Sequence, residues 1–235
     1  MRPISKTKFL EAIESWDADA VAAALRERPD FVSILDKTHR TPLHLCARIT
    51  PTKTKKSPAA IATAKALIKA GADVNAVQPI PDDGEIFPAT ALWYSLAHGR
   101  NRLLASFLLK NEAEPNHCMF ALVYADDLAS AKLVRRYGSR IDDVFAGETP
   151  LIYAVRHSRA AFAKWLLTEG ANANLRDRRG FTALHHAVRR RLSDDTLRAL
   201  VKAGADPKSI SDDGTAIAKL ATRSQRALLG VDISV

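Results

Sequence analysis

Three of the seven histidines, His44, His185 and His186, lie in similar short motifs and are the first candidates for metal binding or acid–base chemistry. His185 and His186 are adjacent, and successive helical residues point about 100° apart, so this pair is badly placed to share a metal ion. The two cysteines, Cys46 and Cys118, lie among small and apolar residues, a setting typical of a packed core. They are also too few for a four-cysteine zinc site or a disulfide-rich secreted scaffold. The sequence therefore predicts no metal site and no cofactor.

Motifs of nucleotide-binding and hydrolytic sites are absent from the sequence. It contains no Gly-x-Gly-x-x-Gly, Gly-x-x-x-x-Gly-Lys, His-Glu-x-x-His or Gly-x-Ser-x-Gly pattern. Adjacent aspartates, such as Asp126-Asp127 and Asp212-Asp213, fall at expected turns or helix starts, where a carboxylate caps backbone N–H groups. We therefore predict that the protein is not an enzyme.

Arginine is the residue type that remains as a candidate for recognition. The chain carries a formal net charge of +9. Residues 1–120 contribute 16 basic and 13 acidic residues (+3), and residues 121–235 contribute 19 and 13 (+6), with 14 arginines among those 19. Arginine binds carboxylates and phosphates through two parallel hydrogen bonds, which lysine does not. The excess charge favours an acidic partner, either a protein or a nucleic acid.

The elements that would position these side chains belong to an internal repeat. A threonine-led motif begins at Thr41, Thr90, Thr149, Thr182 and Thr215, and a degenerate copy begins at Asn116. The last four of these starts are 33 residues apart. Threonine is a good helix N-cap, and proline suits the first helical position, as at Pro42 and Pro150. Each motif therefore predicts the start of a short helix.

A second helix is expected in each copy. Apolar pairs with an apolar or small residue three positions earlier form a stripe, as in Leu166/Leu167 with Ala163. Glycines then end these helices in a left-handed conformation: Gly71, Gly138, Gly170 and Gly204. A helix pair of this size cannot bury its apolar face alone, so neighbouring pairs must stack.

This 33-residue pattern, with Thr41–Ala47 as Thr-Pro-Leu-His-Leu-Cys-Ala, resembles the ankyrin repeat, whose signature is Thr-Pro-Leu-His-x-Ala. The resemblance covers about residues 36–221. It implies an all-α fold, an α-solenoid of stacked helix-turn-helix repeats with about five to six units including caps and an irregular N-terminal half. Residues 1–235 are then a single ankyrin repeat domain. The expected parts are an N-terminal helical cap (1–35), repeat 1 with an inserted loop (36–76), repeat 2 with a long finger (77–115), a degenerate repeat 3 (116–142), repeat 4 (143–176), repeat 5 (177–209) and a C-terminal cap (210–235).

The resemblance also implies which positions face a partner. In such proteins the concave groove is formed by hairpin tips and by first-helix positions four, seven and eight residues after the motif threonine. The predicted partner-binding residues are Tyr94, His98, Tyr153, Arg156, His157, Arg178, Arg179, His186, Arg189 and Arg190. For Tyr94 and Tyr153, packing against neighbouring helices is an equally good interpretation. The motif histidines His44 and His185 are expected to hydrogen-bond between neighbouring repeats.

The leading functional hypothesis is a protein–protein interaction module that binds an acidic segment of another protein. The alternative is binding of nucleic acid or another polyanion through the same arginines. No run of 18 apolar residues is present and the first residues contain no apolar stretch of signal-peptide length, so we expect no membrane span and no signal peptide. With so few cysteines, a cytoplasmic location is expected.

Overall fold

The computed structural model describes residues 4–82 and 84–232. Within these residues the chain forms fourteen α-helices, one 3-10 helix and two β-strands. It divides into two compact units, called here the N-terminal unit (Met1–Ala121 with Lys132–Ser139) and the C-terminal unit (Leu122–Ala131 with Arg140–Val235). The expected caps extend over residues 1–3 and 233–235, and the expected finger over residue 83, which lie outside the described residues.

The N-terminal unit begins with two α-helices within residues 1–35, where a helical cap is expected. Its elements are α1 (Lys6–Ser15), α2 (Ala18–Glu27), the 3-10 helix (Pro29–Ser33), α3 (Pro42–Ala47), α4 (Ser57–Lys69), β1 (Gln78–Asp82), β2 (Glu85–Ala89), α5 (Ala91–Ala97) and α6 (Arg102–Lys110). The first helices α1, α3 and α5 contact one another in that order, and so do the second helices α2, α4 and α6. This is the stacking of helix pairs that the repeat requires.

The C-terminal unit repeats this arrangement more regularly. Its helices are α9 (Pro150–Arg156), α10 (Ala160–Thr168), α11 (Ala183–Arg189), α12 (Asp194–Lys202), α13 (Ile217–Leu220) and α14 (Arg223–Leu229). Again α9, α11 and α13 pack in one layer and α10, α12 and α14 in another. The boundary between the units falls within α7 (Cys118–Ala125) and α8 (Leu128–Arg136).

Local signals set the ends of these helices. The hydroxyls of Thr41, Thr90 and Thr149 accept hydrogen bonds from the backbone N–H groups three residues later, as N-caps do. After α10 and α12, Gly170 and Gly204 have φ angles of +90° and +91°, a conformation that costs an L-residue about 1–2 kcal/mol. The threonine starts and glycine ends expected from the repeat are thus confirmed at these positions.

The last copy of the motif starts later than expected. Helix α13 begins at Ile217, with Ala216 in the N-cap position and in an extended conformation, instead of directly after Thr215. The N–H of Thr215 donates to Ser211 Oγ and to Asp213 Oδ1, both at 3.1 Å. The threonine therefore closes the preceding turn, and the alignment of this copy on a helix-capping threonine is wrong.

The finger expected between repeats 1 and 2 is a β-hairpin, and it contains the only two β-strands among the described residues. Strands β1 and β2 are antiparallel, with pairs running from Gln78 opposite Ala89 to Asp82 opposite Glu85. Gln78, Phe87 and Ala89, on one face, are buried, whereas Pro79 and Ile86 on the other face are exposed. The hairpin thus rests on the helices with one face only.

The inserted loop between α3 and α4 is attached to the N-terminal unit. Thr52 and Lys55 bond to each other through Thr52 N–H to Lys55 O (2.7 Å) and Lys55 N–H to Thr52 Oγ1 (3.0 Å). Lys55 Nζ also donates to Glu14 O at 3.0 Å, and Thr50 Oγ1 donates to His98 O at 3.0 Å. These contacts tie the insert to α1 and to the end of α5.

Both cysteines lie in the core, as their apolar setting predicted. Cys46 and Cys118 are fully buried. Burial raises the pKa of the Cys46 thiol to about 12, which leaves it protonated and unreactive near neutral pH.

In the part of the chain that the structure describes, no helix is long and apolar enough to cross a bilayer.

Candidate functional site

The two motif histidines, His44 and His185, connect neighbouring repeats through the same pair of hydrogen bonds, called here the histidine brace. In α11, Thr182 N–H donates to His185 Nδ1 (3.1 Å), and His185 Nε2 lies 3.3 Å from Thr215 O of the next repeat. In α3, the corresponding distances are 3.1 Å from Thr41 N to His44 Nδ1 and 3.2 Å from His44 Nε2 to Ala89 O. Because Nδ1 accepts, Nε2 carries the hydrogen and donates to the carbonyl.

Burial lowers the pKa of both His44 and His185, so each imidazole is neutral near pH 7. The expected structural role of these histidines is therefore confirmed. Among the described residues, no group of three His, Cys, Asp or Glu side chains is arranged to hold a metal ion.

Of the ten predicted partner-binding residues, Tyr94 and His98 lie in the N-terminal unit and the other eight in the C-terminal unit. Tyr94 is only 5% exposed and its hydroxyl donates to the Gln78 side chain at the base of the finger. Its ring also lies 5.2 Å from that of His98, which is exposed. For Tyr94 the structure therefore favours the packing interpretation over a free contact surface.

An open pocket of about 500 Å³ lies on the surface of the C-terminal unit, beside α9 and α11. We call it the arginine groove. Its lining residues are Glu148, Arg156, Asp177, Arg179, Phe181, His186, Arg189 and Arg190. Four arginines thus share this groove with two carboxylates. The structure brings together Arg156, Arg179, His186, Arg189 and Arg190 of the predicted set.

The turn before α11 is held by Asp177, which lies at one wall of the groove. Its carboxylate accepts from Arg179 N–H (2.9 Å), Phe181 N–H (3.0 Å) and His186 Nε2 (2.8 Å). Burial opposes the charged form of Asp177, but these hydrogen bonds outweigh it and lower its pKa. The pKa of His186 is also lowered, chiefly because its ring is buried. His186 and Asp177 therefore anchor the turn.

Arg179 projects from the tip of this turn. Its guanidinium lies 5.1 Å from the centre of the Phe181 ring, and its side chain is 65% exposed with Asp213 3.8 Å away. Arg178, the preceding residue, does not line the groove. Its side chain packs across Gly147, so closely that a Cβ at that glycine would lie 2.1 Å from Arg178 Cγ.

An aromatic cluster borders the groove at the end of α9. The His157 ring lies 4.3 Å from that of Tyr153 and 6.1 Å from that of Tyr124, the second at an angle of 78°. Arg190 Nη2 donates to Arg156 O, which connects this cluster to the groove. Burial and the neighbouring Arg156, Arg190 and Arg159 lower the pKa of His157. Tyr153 and His157 therefore lie beside the groove and not in its lining.

Comparison with known proteins agrees with the repeat geometry. A family model for three copies of the ankyrin repeat matches residues 118–211, and a model for one ankyrin repeat matches residues 38–78. The chain belongs to the ankyrin repeat family. Ankyrin repeats are generally protein–protein interaction modules, and the family is generally non-catalytic.

Among individual relatives, a putative ankyrin repeat protein of Acanthamoeba polyphaga mimivirus is 41% identical over 69 residues, which are 29% of this chain and 16% of that protein. The human ASB11 ankyrin repeat domain has a similar fold, with a TM-score of 0.68, 22% identity, and coverage of 94% of this chain and 96% of that one. The ankyrin repeat domain of Bcl-3, a member of the IkappaB protein family, is also similar in fold. Its TM-score is 0.73 at 23% identity, and the match covers 95% of this chain and 96% of that one.

Sequence reasoning missed the two acidic residues of this ankyrin repeat surface, Glu148 and Asp177. A usable signal exists for Asp177, which precedes the motif threonine of its repeat by five residues. Asp36 stands in the same place before Thr41 and also accepts from backbone N–H groups, those of Thr38 (2.8 Å) and Arg40 (3.0 Å). A motif threonine preceded by aspartate at this spacing therefore indicates a carboxylate-closed turn.

Proposed function

We propose that the protein is a non-catalytic interaction module whose arginine groove binds an acidic segment of a partner protein. The observation that carries this proposal is the convergence of Arg156, Arg179, Arg189 and Arg190 on one open pocket with only two carboxylates in its lining. Guanidinium groups bind carboxylates through paired hydrogen bonds, so such a surface is suited to glutamate and aspartate side chains.

The two carboxylates of the groove are already engaged within the chain. Glu148 pairs with Arg156, and Asp177 is held by His186 and by backbone N–H groups. No carboxylate among the described residues forms an ion pair with Arg189 or Arg190, both of which are exposed. Arg190 Nη2 donates to the backbone at Arg156 O, but neither guanidinium charge is balanced by a carboxylate of the described residues, so both can pair with carboxylates brought by a partner.

Exposed ion pairs are weak, about 0.2–1 kcal/mol each, so a single carboxylate would not bind measurably. A segment that engages several arginines at once adds these small contributions. The positive groove would also speed the encounter with an acidic partner and disfavour basic ones. This role needs no reacting group, and the one histidine of the groove is used to hold a turn.

The proposal is tested by titrating a fluorescein-labelled glutamate-rich peptide and its glutamine counterpart against the protein. We expect the glutamate peptide alone to bind, and the variant Arg189→Ala/Arg190→Ala to bind it about tenfold more weakly. The matched control is Arg198→Ala/Arg223→Ala, which removes two exposed arginines of the same unit that lie outside the groove. Equal affinity in both double variants would overturn the assignment of the groove.

The same guanidinium groups would also contact phosphates, so polyanion binding is the competing outcome. A labelled single-stranded oligonucleotide is therefore titrated at about 50 and 200 mM salt. Binding of the oligonucleotide with a steep loss at the higher salt, together with no binding of the glutamate peptide, would replace the proposal by nucleic-acid binding.

A further inference from the structure

We infer that the acidic segment carries an aromatic side chain next to its carboxylates, and that Tyr124 and His157 receive this ring at the border of the arginine groove. This inference rests on the proposed function and names the chemistry of the partner more closely. Tyr124 and His157 are called here the aromatic corner.

Tyr124 presents an unusually open ring. The residue is 64% exposed, against 40% for Tyr137 and 5% for Tyr94. The exposed part of a ring contributes no burial energy to the fold, whereas a partner that covers it gains the free energy of its burial. Exposed tyrosines are among the residues that dominate binding energy at protein interfaces.

The backbone that carries Tyr124 is fixed in position. Arg159 Nη2 donates to Tyr124 O at 3.0 Å, and Arg159 Nη1 lies 3.6 Å from Asp126 Oδ2. Arg159 thus ties the end of α7 to the segment between α9 and α10 within the C-terminal unit. A ring on a fixed backbone loses little conformational entropy when a partner binds.

His157 forms the second wall of the aromatic corner. Its exposed ring is nearly perpendicular to that of Tyr124, and Tyr153 supports it at 4.3 Å. Aromatic rings attract one another in tilted, edge-to-face and offset-stacked arrangements, so a perpendicular pair offers a face and an edge to a third ring. An aliphatic side chain would gain the burial but not this additional attraction.

The aromatic corner and the arginine groove are adjacent. Arg156 precedes His157 in the chain and lines the groove, and Arg190 Nη2 donates to Arg156 O. A segment lying across both would place carboxylates against Arg189 and Arg190 and one ring against Tyr124. The groove then supplies the electrostatic attraction, and the corner distinguishes one acidic sequence from another.

The test uses two peptides of equal length and equal glutamate content, one with a central tryptophan and the other with leucine at that place. We expect the wild-type protein to bind the tryptophan peptide about fivefold more tightly. In Tyr124→Ala the preference disappears while the leucine peptide keeps most of its affinity. Tyr124→Phe retains the preference, because the ring and not the hydroxyl is used.

The control is Tyr137→Ala, which removes the other exposed tyrosine and should leave the preference intact. Equal binding of the two peptides by the wild type, or a preference that survives in Tyr124→Ala, would overturn the inference while the proposed groove stands. Failure of both peptides to bind would overturn the groove and the corner together. Circular dichroism of each variant verifies that the fold is intact.

Discussion

Helices α5 and α11 both begin after a motif threonine, but the chain uses their fourth position differently. In α5 this position is Tyr94, whose hydroxyl bonds to Gln78 of the finger, and in α11 it is His186, bonded to Asp177 at 2.8 Å. Both side chains tie a helix to the hairpin before it. The long finger buries Tyr94 in the process, whereas the short turn before α11 leaves the following Arg189 and Arg190 open to solvent.

The contrast shows that the fourth position packs in both helices, since Tyr94 and His186 each bond to the segment before their helix. The two helices differ at the seventh and eighth positions after the threonine, which are Ala97 and His98 in one and Arg189 and Arg190 in the other. The finger covers Tyr94 but leaves His98, at the eighth position after Thr90, exposed. A short turn is closed by its own carboxylate, and the arginines beyond it stay accessible.

The largest expected effect concerns the two motif histidines, His44 in the N-terminal unit and His185 in the C-terminal unit, and it tests whether their contacts stabilise the two units equally. We expect His185→Ala and His44→Ala each to lower the free energy of unfolding by about 3 kcal/mol, because each leaves a cavity and buried unpaired groups. Urea unfolding followed by circular dichroism measures the effect. A loss below about 1 kcal/mol in one variant only would show that the two units depend on the brace unequally.

The next prediction concerns the pH dependence of the free energy of unfolding, which should change when His186 is replaced but not when Tyr94 is replaced. Since the folded-state pKa of His186 is lowered, the unfolded chain binds more protons as pH falls below the ordinary histidine value of about 6.5, and stability falls with it. For one group, the free energy of unfolding changes by at most about 1.4 kcal/mol per pH unit. His186→Gln should reduce this slope of stability against pH. Burial raises the pKa of Tyr94, so Tyr94→Phe should leave the slope unchanged. Urea titrations between about pH 5 and pH 7.5 measure both slopes.

A smaller effect is expected at the hydroxyl of Tyr94 itself. Tyr94→Phe leaves the buried Gln78 side chain without its donor, which should lower the free energy of unfolding by about 1 kcal/mol. The affinity for a glutamate-rich peptide should not change, because the tyrosine packs and does not line the groove. A loss of peptide affinity in this stable variant would contradict the division between a packing region and a binding region.

The smallest effect on stability is expected where the effect on binding is largest. Arg189→Ala/Arg190→Ala should change the free energy of unfolding by no more than about 0.5 kcal/mol, because the exposed guanidinium groups have no ion-pair partner among the described residues and the one hydrogen bond lost, from Arg190 to Arg156 O, is exposed to water. Thermal unfolding measured beside the peptide titrations checks this. A strongly destabilised variant would mean that these arginines support the fold.

The helix starts and the histidine braces could be predicted from the sequence because their signals are local or repeat at a fixed interval. Thr149 and Pro150 specify a helix start by themselves, and His185 sits three residues after its threonine, within reach of its backbone N–H. Burial of Tyr94 could not be predicted in this way, since it depends on Gln78, which lies sixteen residues away in a hairpin without a repeat counterpart.

The arginine groove was predicted in part. Arg189 and Arg190 follow from their places on the first helix, but Arg178 and Arg179 are neighbours that the turn directs to different surroundings. Only the backbone conformation of the turn separates them. Asp177 could have been found from its spacing to Thr182, but the place of Glu148 in the groove depends on its contact with Arg156, which no motif indicates.

The two histidine braces close chain segments of different length, 45 residues from His44 to Ala89 and 30 residues from His185 to Thr215. Loop-closure entropy grows only with the logarithm of length, so the longer segment costs about 0.4 kcal/mol more. Adding residues to a repeat between its histidine and the carbonyl that this histidine binds therefore costs little loop-closure entropy. The chain between His44 and Ala89 is therefore a place where additional residues could be inserted, by design or by evolution, while the helices stay stacked.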